Sequence, residues 1–217
     1  MTKTIKAWYF AHESNRLQYD DNREIVIGET HTVDCNPVCC EQGLHGSKRI
    51  IDALRYAPGP IIYRVELGGK MDFEDDKIAA QSRKYLAGFD ATELLRDFAR
   101  RCALDVIYLW DAPDVVVQYL KTGDESIRAA AWAAAGDAGA AGDAARAAAW
   151  VAGAAGDAAR VAAGDAARAA WAARAAWAAG AAGDAAWAAA RVAAGDKQNR
   201  RLTAMVNAEL KRIEVQI

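Results

Sequence analysis

Proline, histidine and methionine are scarce in this chain. Its 217 residues hold 4 Pro, 3 Met, 4 Cys and 3 His, the last being His12, His31 and His45. So few imidazoles leave little room for histidine-based catalysis. Phosphate-cradling loops, dinucleotide fingerprints, HExxH metal motifs and nucleophile elbows are all missing. No run of about 18 large apolar residues occurs, so no membrane span is expected. The opening MTKTIKAWYF has no apolar core region and no cleavage site. It does not read as a signal peptide, and a cytoplasmic location is expected. The cysteines would then be reduced. Charge of one sign is also lacking: 27 basic and 29 acidic groups give a net charge of −2. That balance exerts no general pull toward nucleic acid or an anionic membrane. The 17 glycines and 4 prolines follow no three-residue period, which excludes collagen.

Alanine is abundant, at 53 residues, and 40 of them fall between Ala129 and Ala194. The apolar share of 53% therefore overstates the bulk available for a core. The tract is nevertheless patterned. Arg128, Trp132, Gly136, Gly139, Gly142, Arg146 and Trp150 begin a series that runs to Gly195 in steps of 3 or 4. The mean step is about 3.5 residues, a helical period. The stripe of Trp, Arg and Gly predicts helices whose alanine faces allow close approach. Gly-Asp pairs at 136–137, 142–143, 156–157, 164–165, 183–184 and 195–196 suit a helix stop followed by a new cap. Breaks at some of them predict a helical bundle or short helical solenoid, with a single rod as the alternative.

The first 90 residues read differently. TIKAWYF (4–10), EIVIG (24–28) and IIYRVEL (61–67) are rich in strand formers. Gly28 would stop the second strand, and Gly68-Gly69 would close the third. Ser47 is placed to cap a helix over 48–57, where Ile50, Ile51, Leu54 and Ala57 share a side. Pro58-Gly59-Pro60 ends that helix. From Asp90 a helix is expected to about Trp110, with Leu94, Phe98, Cys102, Val106 and Trp110 on one face. A short helix containing VVVQYL should follow Asp111 and Pro113 and stop at Gly123, with Asp124 capping the next. The tail KQNRRLTAMVNAELKRIEVQI places Leu202, Met205, Val206, Leu210 and Ile213 on one face of an amphipathic helix.

Two groups of residues could carry chemistry. Cys35, Cys39, Cys40 and His45 lie within eleven positions of a turn-rich segment, and zinc takes four ligands of this kind. The other reading is reduced cysteines in a small core beside a structural histidine, with no cofactor. The Trp/Arg stripe could stack bases, but interleaved Asp cancels its charge, which argues against nucleic acid. Arg stacked on Trp inside a helical assembly is the reading preferred here.

Leu44-His45-Gly46-Ser47, followed by a helix and a strand carrying Tyr63 and Glu66, resembles the His-Gly-Ser/Thr segment of diphtheria-toxin-like ADP-ribosyltransferases. The resemblance implies NAD held at His45, Tyr63 or Tyr56 stacked on the nicotinamide, and Glu66 as the catalytic acid. The order and spacing of the tyrosine and glutamate depart from that family's pattern. Residues 4–80, with Gly28, Cys39, Gly43, His45, Tyr56 and Val65, also resemble an uncharacterised domain family of phage and prophage proteins. A second cysteine usual just after the histidine is replaced by Gly46-Ser47. From about Arg100, CALDVIYLWDAPDVVVQYLKTGDESIRAAAWAA is similar to alanine-rich helical proteins named as immunity proteins. The last two resemblances imply a protein that acts by binding.

The combined expectation is an α+β chain. A small N-terminal α/β domain covers 1–88. An alanine-rich helical domain with an amphipathic C-terminal helix covers 89–217. The leading functional expectation is a non-enzymatic binding protein with a protein partner. It would be a phage or prophage accessory that inhibits or sequesters a host defence or toxin component. The alternatives are an NAD-binding ADP-ribosyltransferase-like enzyme and a self-assembling helical homo-oligomer.

Overall fold

The computed structural model describes residues 4–19, 21–109, 111–137 and 183–215. The chain separates into two compact units, Met1–Thr92 with Leu202–Ile217 and Glu93–Arg201. The expected helical bundle or solenoid, most of the Trp/Arg stripe and Trp110 lie outside the described residues. The architecture described is an N-terminal antiparallel sheet with one short helix, followed by a few helices.

The sheet contains β1 (Ile5–Ala11), β2 (Thr30–Thr32), β3 (Leu44–Gly46), β4 (Ile61–Phe73) and β5 (Ile78–Asp90), with α1 (Ile50–Arg55) between β3 and β4. Its order is β1-β4-β5-β2, and β3 also pairs with β5. β2 and β3 share one edge of β5: β2 lies against Ser82–Lys84 and β3 against Ile78–Ala80. Every pairing is antiparallel. The expected α/β N-terminal domain is thus an antiparallel sheet with one short helix, within the expected α+β class. Parallel pairing needs a crossover of a dozen or more residues. Here β4 and β5 are joined by a turn of four.

A further pairing closes the circuit. Just past β3, the Ser47 and Trp8 backbones exchange N–H···O=C bonds of 2.8 and 2.9 Å. Strands β1, β4, β5 and β3 therefore run round to β1 again, which protects edges that an open sheet would expose. Gly46 sits at the closure. A Cβ there would stand 3.2 Å from the Trp8 carbonyl and 3.3 Å from the Ala7 Cβ. The strand β3 and the β1 backbone can come this close because position 46 has no side chain.

Three sequence expectations for this unit are corrected. EIVIG forms no strand: Val26 and Ile27 are exposed and Gly28 adopts φ 93°, leaving only an isolated bridge at Glu24. Gly68-Gly69 does not close β4, which continues to Phe73 through a register shift between Gly68 and Met71. Ser47 does not cap α1, because its backbone is committed to Trp8; the cap position is Arg49, without a side-chain cap bond. One core contains Ala7, Ala11, Leu17, Ile25, Leu44, Tyr63, Val65, Leu67, Ile78, Ala80 and Tyr85. On β1, alternate residues Trp8 and Phe10 are also buried, as are Ile50 and Leu54 of α1.

In the second unit, α2 (Thr92–Leu104) ends six residues before the expected Trp110, and Ile107–Leu109 forms a 3-10 turn. The Asp90 carboxylate accepts from the Thr92 backbone N–H at 2.8 Å, so the expected acidic start at Asp90 is present, two residues before the first helical residue. α3 (Asp114–Thr122) stops at Gly123, whose φ of 68° and N–H bond to the Tyr119 carbonyl form a left-handed cap. Asp124 then accepts from the Ser126 N–H at 2.9 Å, as expected, and α4 (Arg128–Asp137) follows. Ala103, Val116, Tyr119, Leu120, Ala131 and Ala135 form a second core. The last helix, α5 (Gly183–Val215), belongs to the second unit up to Arg201 and to the first from Leu202, and it runs unbroken through Gly195-Asp196. That pair therefore does not act as a stop. Leu202 and Val206 of the predicted apolar face are fully buried.

Candidate functional site

Alternation along the strands divides the polar residues of the sheet into two clusters. In β3, Leu44 and Gly46 are buried while His45 is half-buried, so His45 points away from the core that holds Tyr63 and Leu44.

The first cluster lies on the core side and centres on Arg83, which keeps only 2% of its surface. Its Nε and Nη2 donate to the Tyr85 hydroxyl at 3.0 and 2.9 Å, and its Nη1 donates to the His45 carbonyl at 2.7 Å. The guanidinium carbon lies 3.6 Å from the centre of the Tyr9 ring. No carboxylate pairs with it among the described residues. A planar cation suits this site, since ring stacking and a fork of donors replace the missing counter-ion. His31 Nδ1 lies 3.1 Å from the same Tyr85 oxygen. Burial holds the His31 imidazole below its ordinary range, with Arg23 and Arg83 adding to the effect. Burial likewise raises the Tyr85 phenol, against the opposing pull of Arg83. Tyr63 donates to the Asn15 side-chain oxygen, and Asn15 Nδ2 donates to the Ile25 carbonyl at 2.8 Å. The segment between β1 and β2 is thereby fastened to the sheet.

The second cluster lies around the loop Val38–Gln42, which an isolated bridge closes on itself. The Cys40 backbone adopts φ 68°, and its N–H donates to His45 Nε2 at 3.2 Å. Lys77 Nζ stands 2.5 Å from Cys40 Sγ and 3.1 Å from Glu74 Oε2, and 4.7 Å over the Tyr56 ring. Its hydrogen bond to Cys40 raises the Lys77 ammonium above its ordinary range, although burial opposes this. Tyr56 donates to Asp76 Oδ2 at 2.8 Å, and Arg55 Nη1 lies 3.2 Å from the same atom. Burial lowers the His45 imidazole, and the Arg83 and Lys77 charges lower it further.

The residues singled out from the sequence are distributed as follows. His45 bonds Cys40 with its ring and Arg83 with its carbonyl. Tyr63 is buried in the core, while Tyr56 is exposed at the end of α1. Glu66 is half-buried on β4, with Lys6 and Lys84 as its cross-strand neighbours. No hydrogen bond or ring contact joins His45, Tyr63 and Glu66. Of the cysteines, Cys39 donates through its backbone N–H to Asp72 Oδ2 at 2.8 Å, and burial raises its thiol. Cys35 is half-buried, and its carbonyl accepts from Gln81 Nε2 at 3.0 Å. Cys40 is exposed and turned to Lys77. Among the described residues, no three His, Cys, Asp or Glu side chains gather in an arrangement that could hold a metal ion.

Residues 8–97 match the family model described as Domain of unknown function (DUF7666). The match spans β1 to the first half of α2 and contains both clusters. No curated protein and no solved structure matches the chain. Sequence reasoning missed Arg83, Tyr85, Tyr9, Lys77 and Asp76. Arg83 and Lys77 sit in polar stretches, QSRKY and DDKI, where nothing in local pattern announces burial. No described helix is long and apolar enough to cross a membrane.

Proposed function

We propose that this is a non-enzymatic binding protein that contacts a protein partner through the segment between β1 and β2. One observation carries the reading: a fastened segment presents apolar side chains to solvent. Tyr19 is 99% exposed, Ile27 55% and Val26 42%. The backbone beneath them is tied by Leu17 N–H to the Arg23 carbonyl and Ile25 N–H to the Asn15 carbonyl, both at 2.9 Å. Gly28 N–H to the Tyr85 carbonyl, at 2.7 Å, ties its far end. Leu17 and Ile25 are buried as anchors. A pre-ordered apolar surface loses less entropy on association than a floppy one. Both of its arginines are paired within the segment, Arg23 with Asp21 and Arg16 with Glu24. Such a surface suits an apolar patch on a protein better than a polyanion.

The biological setting, a phage or prophage accessory acting on a host defence or toxin component, rests on the sequence resemblance. The test is a pull-down from bacterial lysate with the wild-type chain and with a Tyr19→Ala, Ile27→Asp variant. The expected result is a protein retained by the wild type and lost from a variant of unchanged melting temperature. Equal retention by both overturns the assignment to this segment. If the variant instead loses a concentration-dependent oligomer in light scattering, the partner is a second copy of the chain. NAD turnover abolished by His45→Ala would replace the binding reading with the enzymatic one.

A further inference from the structure

The contact between Cys40 and Lys77 plays no part in the binding surface. Nζ and Sγ stand 2.5 Å apart. This is closer than the usual N–H···O hydrogen bond, although sulfur is larger than oxygen. It is nevertheless longer than a direct single bond between the two atoms. Two single bonds meeting at a near-tetrahedral angle through one light atom span about 2.5 Å. The spacing therefore suits one bridging oxygen. The surroundings favour the same outcome. Cys40 is exposed, so a small oxidant reaches its sulfur. Lys77 keeps 9% of its surface and is held by Glu74 and the Tyr56 ring, so its amine cannot swing away. His45 fixes the Cys40 backbone from the other side.

We propose that Cys40 and Lys77 form a modification site, at which peroxide converts the pair into a covalent Sγ–O–Nζ bridge. The first peroxide oxidises sulfur by two electrons: the thiol and hydrogen peroxide give the sulfenic acid and water. Oxidation of the sulfur removes the thiol hydrogen bond that holds the Lys77 proton; Lys77 then loses a proton to solvent, and its free amine takes oxygen from a second peroxide. That step oxidises nitrogen by two electrons and yields the hydroxylamine and water. The hydroxylamine oxygen then attacks the sulfenic sulfur. An S–O bond forms, the sulfenic hydroxyl leaves as water with the hydroxylamine proton, and nothing is further oxidised. In sum, thiol, amine and two peroxides become the bridge and three waters. The bridge ties the Val38–Gln42 loop to the start of β5, and thiol reductants should cleave it.

The test is peptide mapping by mass spectrometry of the full chain after hydrogen peroxide treatment. The expected product joins the Cys40 and Lys77 peptides with a gain of one oxygen and a loss of two hydrogens. Cys40 should become refractory to iodoacetamide and recover with dithiothreitol. Lys77→Arg retains the cation but should give only the oxidised acids of Cys40. Should Lys77→Arg not fold, the wild-type map with Cys40→Ser as control decides the matter alone. Sulfinic or sulfonic acid at Cys40 with an unlinked Lys77 peptide in the wild type overturns the proposal. So does a linked product lacking the extra oxygen.

Discussion

At the scale of single residues, the buried Arg83 poses the sharpest energetic question. A guanidinium inside a core costs several kcal/mol to desolvate unless its donors and charge are satisfied. Here one tyrosine hydroxyl accepts two of its bonds, a backbone carbonyl accepts a third and the Tyr9 ring faces the charge. Removing the hydroxyl alone leaves the cation buried with fewer partners, whereas removing the cation deletes the penalty along with the bonds. We therefore expect Tyr85→Phe to cost about 3 kcal/mol and Arg83→Met clearly less. Urea denaturation of both variants and of the double variant checks this ordering. A Tyr85→Phe variant as stable as the wild type would mean that Tyr85 does not satisfy the charge. Little of this network was legible in the sequence. His45 was singled out from a short pattern, and it does sit where the two clusters meet. Arg83 could not be, because a lone arginine between Ser82 and Lys84 reads as a solvated edge. Its burial follows from the pairing of β5 with β2 and β3 on one side and β4 on the other, which is long-range information.

At the scale of elements, glycine serves the chain in two different ways. Gly123 ends α3 at φ 68°, where an added Cβ is strained whatever the space around it. Gly123→Ala should therefore destabilise the protein by about 1 kcal/mol. Gly46 has no such backbone demand; its constraint is the approach of β1. Gly46→Ala should also cost about 1–2 kcal/mol, through displacement of the Trp8–Ser47 closure rather than through the turn. Hydrogen exchange separates the two. The Trp8 and Ser47 amides should lose protection in Gly46→Ala and keep it in Gly123→Ala. The elements that could be read from sequence were those with a strong local signal: β1, α1, the first half of β4, and the α2 to α4 chain with its Gly123 stop and Asp124 cap. β5 went unread because IAAQSRKYLAGFD has few β-branched residues. It is a strand because both of its sides are paired. EIVIG shows the converse, since strong strand formers there serve a surface segment whose Gly28 turns away.

At the scale of the whole molecule, the near-neutral charge and a sequence pI of about 6.0 place the pH dependence of stability in specific groups rather than in general repulsion. His31 and His45 both have imidazoles lowered by burial, with Arg23 and Arg83 next in the one and Arg83 and Lys77 in the other. A base lowered in the fold stays neutral there while the unfolded chain takes up protons. Stability then rises with pH wherever the unfolded state binds more protons. The histidine contribution is thus complete above the ordinary value of 6.5 and is lost as pH falls below it. A second loss comes lower down. Arg23 lowers Asp21 and the Cys39 N–H lowers Asp72. For Asp105, burial works against ionisation, but Arg201 and Lys197 outweigh it and its carboxyl too is lowered. These carboxylates keep their contribution above their ordinary 3.8 and lose it as pH falls through their folded values. Two separate steps are therefore expected in a plot of unfolding free energy against pH. The upper step should set in as pH falls below about 6.5, the ordinary imidazole value. A His31→Gln, His45→Gln variant should lose the upper step and keep the lower one. An upper step that survives in the double variant would place the titrating groups elsewhere than His31 and His45.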